Sequence, residues 1–147
     1  MDNVKEIIKE NQLALSTLVV FTKAEHVIHK KEYETIKKSG LTPAQFGVLE
    51  ALYNKGDLQI CEIIEKILTT SGNITVVIKN LEKDGLVKRN PHSKDKRSSM
   101  ISLTEKGKQV IESILPGHIK NIRNIFDTLT DEEKMTLKTI LKKFKNI

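Results

Sequence analysis

Few side chains in this sequence are suited to covalent or metal chemistry, and they do not cluster. Cys61 is the only cysteine, which excludes an intramolecular disulfide and any multi-cysteine zinc site. It stands between Ile60 and Ile63, with Glu62 and Glu65 disfavouring a thiolate, and reads as a small, half-buried hydrophobe. His26 and His29 are three residues apart in a helical stretch, and with Glu25 and the distant His118 they could ligate a metal ion. Surface or interface histidines are the plainer reading, and no metal site is expected. His92 lies in a charged loop and suits a phosphate. Asp95-Lys96-Arg97 mixes an acid with two bases, but no histidine accompanies it. With no Gly-rich phosphate loop and no nucleophile elbow, the expectation is no enzyme, no catalytic residues and no cofactor.

The pattern that does carry chemistry consists of hydrogen-bonding groups and cations. Ser71, Asn73, Thr75, Val76, Lys79, Asn80 and Lys83 share the polar side of one helix, with Thr70 as its N-cap. The opposite side is Ile74, Val77, Ile78 and Leu81, at the spacing that turns inward. Serine, threonine and asparagine reach base edges, a valine methyl meets thymine, and lysines and a helix N-terminus suit phosphates. Arg89, Lys94, Asp95, Lys96 and Arg97 follow in a hairpin with a charged tip. The net charge is +6, but residues 69–108 alone carry +5 while residues 1–68 carry −1. A local excess of this kind is the electrostatic footprint of a protein that binds a polyanion.

The elements that must position these groups are legible from caps and periodicity. Apolar residues from Val4 to Ile36 mark one long first helix, Val4 to Lys38, whose stripe a small monomer cannot bury. Thr42 and Gln45 form a capping box, with Pro43 at the first helical position, and Phe46, Leu49 and Leu52 face inward. A turn at Lys55-Gly56-Asp57 leads to a short helix with Ile60, Ile63 and Ile64. The helix of residues 71–83 stops at Asp84-Gly85. Two short strands, Leu86–Arg89 and Ser98–Leu103, flank the charged tip. Thr104 starts a helix that Pro116-Gly117 should interrupt and kink, and Thr130 with Glu133 caps the last one. Helix, turn, short helix, turn, helix, hairpin is the order of a winged helix-turn-helix, in which the helix after the turn enters the major groove.

At 147 residues the chain fits one domain. Aromatic residues are 4% with no tryptophan, which argues against modules that stack single-stranded bases. No apolar run is long enough to span a bilayer and the N-terminus is unlike a signal peptide, so a soluble, cytoplasmic protein is expected.

Three stretches carry a specific resemblance. Gly40-Leu41-Thr42-Pro43-Ala44-Gln45-Phe46, Leu81-Glu82-Lys83-Asp84-Gly85-Leu86-Val87-Lys88-Arg89, and Asp95-Lys96-Arg97 followed by Ile101-Ser102-Leu103-Thr104-Glu105-Lys106-Gly107 together resemble the multiple-antibiotic-resistance regulator (MarR) family over nearly the whole chain. The resemblance implies a mainly α fold with a small β-hairpin wing. Residues 41–103 would form the DNA-binding winged helix-turn-helix, and residues 1–38 and 104–147 the dimerisation helices. It implies a homodimeric repressor on a pseudo-palindromic operator in double-stranded DNA, released by a small lipophilic or phenolic effector, an oxidant or a metal. Carried onto this chain, Ser71, Asn73, Thr75 and Val76 would face bases and Lys79 a phosphate. Arg97 would enter the minor groove, oriented by Asp95, with Lys94 and Lys96 on the backbone. The absence of arginine from the recognition helix favours A/T-rich sites read partly by shape. Two alternatives stay open: a redox- or metal-sensing regulator of the same fold, and a winged-helix protein-interaction module without DNA binding.

Overall fold

In a computed structural model the residues described are 3–67, 71–91 and 99–146; the side chains of residues 71, 72 and 146 are not among them. The elements run α1 (Val4–Glu10), α2 (Gln12–Lys38), α3 (Pro43–Lys55), β1 (Leu58–Gln59), α4 (Ile60–Ile67), α5 (Ser71–Lys83), β2 (Val87–Asn90), β3 (Met100–Leu103), α6 (Glu105–Phe126) and α7 (Asp131–Leu141). A 3₁₀ turn, Lys142–Asn146, follows. This is the mainly helical winged fold expected, with a small antiparallel sheet.

The local signals act as anticipated. Thr42 and Gln45 close a reciprocal capping box around Pro43, and Thr130 and Glu133 close another. The Thr104 hydroxyl accepts from the Gly107 amide and starts α6. One core gathers Phe46, Val48, Leu49 and Leu52 of α3, Ile63 of α4, Ile74, Val77, Ile78 and Leu81 of α5, Ile101 of β3 and Ile111 of α6.

Three expectations are corrected. The first helix is not continuous: at Asn11 the backbone leaves the helical region (φ −106°, ψ 15°), while the Asn11 side-chain amide donates to the Ile7 carbonyl at 2.8 Å. An asparagine competes for its own backbone in this way and suits a helix joint. The sheet has three strands, not two, in the order β1-β3-β2, with Leu58 opposite Ile101. The residues just after Gly56 find the free edge of β3, a non-local pairing. Finally, Pro116-Gly117 does not interrupt α6, which is one helix from Glu105 to Phe126 with Pro116 inside it. Pro116 and Glu112 are both exposed, so the carbonyl that proline leaves without a partner stands on the solvent side.

Candidate nucleic-acid interface

The helix α5 presents two chemically opposite sides. Ile74, Ile78 and Leu81 are wholly buried and Val77 nearly so. Asn73, Thr75, Val76, Lys79, Asn80 and Lys83 are exposed, and Val76 keeps 57% of its surface although it is apolar. Of the other residues expected at this interface, Thr70, Lys94, Asp95, Lys96 and Arg97 lie outside the described residues, as does His92, and Ser71 is placed only by its backbone.

Neighbouring elements extend this side in ways that the sequence did not show. The capped start of α3 lies against α5, so that Thr42, Pro43 and Gln45 share a shallow concavity of about 460 Å³ with Asn73, Val76 and Asn80. At the other end, α5 closes with Gly85 in the left-handed region (φ 73°). The Leu86 amide returns to the Leu81 carbonyl at 2.9 Å and the Gly85 amide to Glu82 at 3.0 Å. The start of α6 grips this exit. The Thr104 hydroxyl donates to the Gly85 carbonyl at 2.6 Å, the Thr104 amide to Leu86 at 3.1 Å, and the Lys106 ammonium to the Asp84 carbonyl at 2.9 Å.

The hairpin is set by β2–β3 pairs from Val87↔Leu103 to Asn90↔Met100, and the Asn90 amide donates to the Ser102 hydroxyl at 2.8 Å. Lys88 and Arg89 are exposed on β2, but Arg89 is already engaged. Its Nε and Nη2 both donate to one carboxylate oxygen of Glu82, at 3.3 and 2.9 Å.

Away from α5, a cavity of about 680 Å³ opens between α2, α3 and α4. Its lining includes Tyr33, Ile36, Phe46, Ala51 and Ile67, with Glu32, Lys55 and Lys66 among the charged groups. Next to it, His118 is buried rather than at the surface, its ring 4.6 Å from that of Phe46. The Thr35 hydroxyl donates to the Glu32 carbonyl at 3.0 Å, and its oxygen is 2.9 Å from Nδ1 of His118, within hydrogen-bond reach. The other ring nitrogen is 3.8 Å from the Glu32 carboxylate, which also meets His29 at 2.9 Å. The histidine is buried because α6 turns it between α2 and α3, a placement no local pattern encodes. Among the described residues, no set of three or more His, Cys, Asp or Glu is placed to hold a metal ion.

Cys61 is exposed, not half-buried, with its thiol 3.6 Å from the Gln59 side-chain oxygen. Ile63 takes the inward position of α4 and Cys61 falls off that side. On α3, the Tyr53 hydroxyl donates to the Glu112 carboxylate of α6 at 3.1 Å; this bond, then the charge of Glu112, raises the phenol above its ordinary pKa of 10.0. No helix among the described residues is long and apolar enough to cross a membrane.

The MarR family profile matches residues 41–99, from just before α3 to the residue before β3. The chain is 35% identical to YkoM, a helix-turn-helix transcriptional regulator of Bacillus subtilis, over 92% of this chain and 88% of that one. It is also 35% identical to the regulator MhqR of the same organism, over 88% and 90%. Among solved structures, Sco3205 of Streptomyces coelicolor, a MarR family regulator in complex with DNA, superposes with a TM-score of 0.78 at 25% identity, covering 91% of this chain and 84% of that one. With this fold and these relatives, the chain belongs to the MarR family of helix-turn-helix transcriptional regulators.

Proposed function

We propose that this chain is a repressor that binds a pseudo-palindromic site in double-stranded DNA as a homodimer and releases it when a small molecule binds. The carrying observation is the outer side of α5, where Val76 and the polar and cationic groups around it stand in solvent while the inner side is fully packed. Asn73, Thr75 and Val76 are the base-facing set, with Ser71 ahead of them, and Lys79 is a phosphate contact. Thr70 and the hairpin residues Lys94, Asp95, Lys96 and Arg97 complete the interface, Arg97 in the minor groove.

The dimer reading is supported by apolar side chains that one chain leaves uncovered. Val4, Leu13, Leu18, Val20 and Phe21 in α1 and α2, and Ile119, Met135 and Phe144 toward the C-terminus, are each 49–81% exposed. Covering such residues is worth roughly 1.5–3 kcal/mol apiece. A two-fold dimer would also set two α5 helices about one DNA turn apart. The cavity beside Tyr33 and Phe46 suits a small lipophilic or phenolic effector, because its apolar floor would take a ring and its charged rim a hydroxyl.

Nuclease protection of the gene's own upstream DNA tests the reading. Two protected half-sites one turn apart, with affinity that falls steeply with salt, are expected. Binding to random and upstream duplexes with equal affinity would overturn it.

A further inference from the structure

Arg89 stands on the DNA side of the molecule, yet its guanidinium is committed within the chain. Two of its N–H groups converge on one oxygen of Glu82, and about a third of each side chain is exposed. An arginine held by a carboxylate must give up that partner before it can meet a phosphate. A glutamate on a surface meant for a polyanion is itself a liability unless it has work to do there. The two residues sit on different elements. Glu82 follows the buried Leu81 near the end of α5, and Arg89 is paired across the sheet with the buried Ile101. Next to them in sequence are two exposed cations, Lys83 on α5 and Lys88 on β2. The backbone ties at Gly85 and Leu86 fix where the chain leaves the helix, and the Glu82–Arg89 pair is a further, side-chain link from α5 to β2 beyond that point.

We propose that the Glu82–Arg89 ion pair is a strut that fixes the recognition helix against the hairpin, and that Arg89 acts on DNA through Glu82 as a positioning residue rather than by touching it. The strut ties the helix that carries Lys79 and Lys83 to the strand that leads into the hairpin, so that helix and hairpin meet the phosphate backbone as one body. Two charge-assisted N–H bonds to one oxygen hold the pair together at a set distance. This inference rests on the DNA-binding reading above.

The test uses the full-length chain and a duplex that the wild-type chain selects from a random pool. Affinity is measured across a salt series for the wild type, Glu82→Gln, Arg89→Gln and the charge swap E82R/R89E, with thermal unfolding of each. If the pair is a strut, Glu82→Gln weakens binding about tenfold although it removes a negative charge. Arg89→Gln does the same, both flatten the salt dependence alike, and the swap restores most of the affinity. If Arg89 instead contacts DNA, Glu82→Gln leaves binding unchanged or tightens it, only Arg89→Gln flattens the salt dependence, and the swap fails; the proposal is then wrong. A pair that serves stability alone would lower the unfolding temperature and leave the affinity of the folded variants unchanged, which also overturns it. A wild-type chain that enriches no duplex would instead sink the DNA-binding reading, and the strut with it.

Discussion

The carbonyl oxygen of Leu86 occupies the space that a Cβ on residue 107 would need, so the first turn of α6 touches the exit of α5 backbone to backbone. Only glycine fits there. Gly107→Ala is expected to destabilise the fold by about 3 kcal/mol, the upper end of the range for overpacking, because the obstacle is main chain and cannot swing away. Gly117 on the same helix is the control. A Cβ there meets nothing within 4 Å, so Gly117→Ala should stabilise by roughly 0.5–1 kcal/mol. Denaturant unfolding of both variants decides it; equal effects would show that the close approach is not what matters.

On α5 the two kinds of contact should separate by salt. Lys79→Ala is expected to weaken binding to all duplexes alike and to reduce the salt slope by about one. Asn73→Ala should cost about 1–3 kcal/mol on the preferred duplex and relax the choice of base, with the slope unchanged. Fluorescence anisotropy over a salt series distinguishes them.

Removing residues 1–20 takes away the joint at Asn11 and the exposed side chains from Val4 to Val20. The shortened chain should sediment as a monomer or aggregate, and site-specific affinity should collapse though no proposed DNA contact is lost. Ultracentrifugation reads the first outcome and anisotropy the second. A full-length chain that is monomeric at micromolar concentration while protecting two half-sites would refute the dimer.

Glu112 holds the Tyr53 phenol in its neutral form, raising its pKa above 10.0. A group whose pKa is raised by folding contributes stability below its unfolded value and loses that contribution as pH climbs through the folded one. Wild-type stability should therefore fall from about pH 10 upward by an increment that Tyr53→Phe lacks, since phenylalanine has no proton to hold. Denaturant midpoints across that range check this, and parallel curves for the two chains would show that the bond is not formed.

What the sequence made legible was local. Thr42 with Gln45, Thr130 with Glu133 and the stop at Gly85 obey rules that operate within four residues, and the inward side of α5 follows from helical spacing alone. What it hid depends on distant partners. Gln59 pairs as a strand because Met100 stands opposite, His118 is buried because Phe46 and Thr35 enclose it, and Arg89 meets Glu82 only after the chain has turned at Gly85. Cys61 is exposed for a related reason. Its apolar neighbours suggested burial, but on so short a helix one residue of rotation decides which side faces water.

The division of α5 into a packed side and an open one has a consequence for how such a regulator changes over generations. Ile74, Ile78 and Leu81 answer to the core, whereas Val76, Lys79 and Asn80 stand outside it. Substitutions on the open side leave the folded state almost untouched, so if that side reads DNA as proposed, they are filtered by which promoter they favour. A duplicated copy of the gene could therefore drift toward a new promoter by small steps on that side, without first passing through an unstable protein.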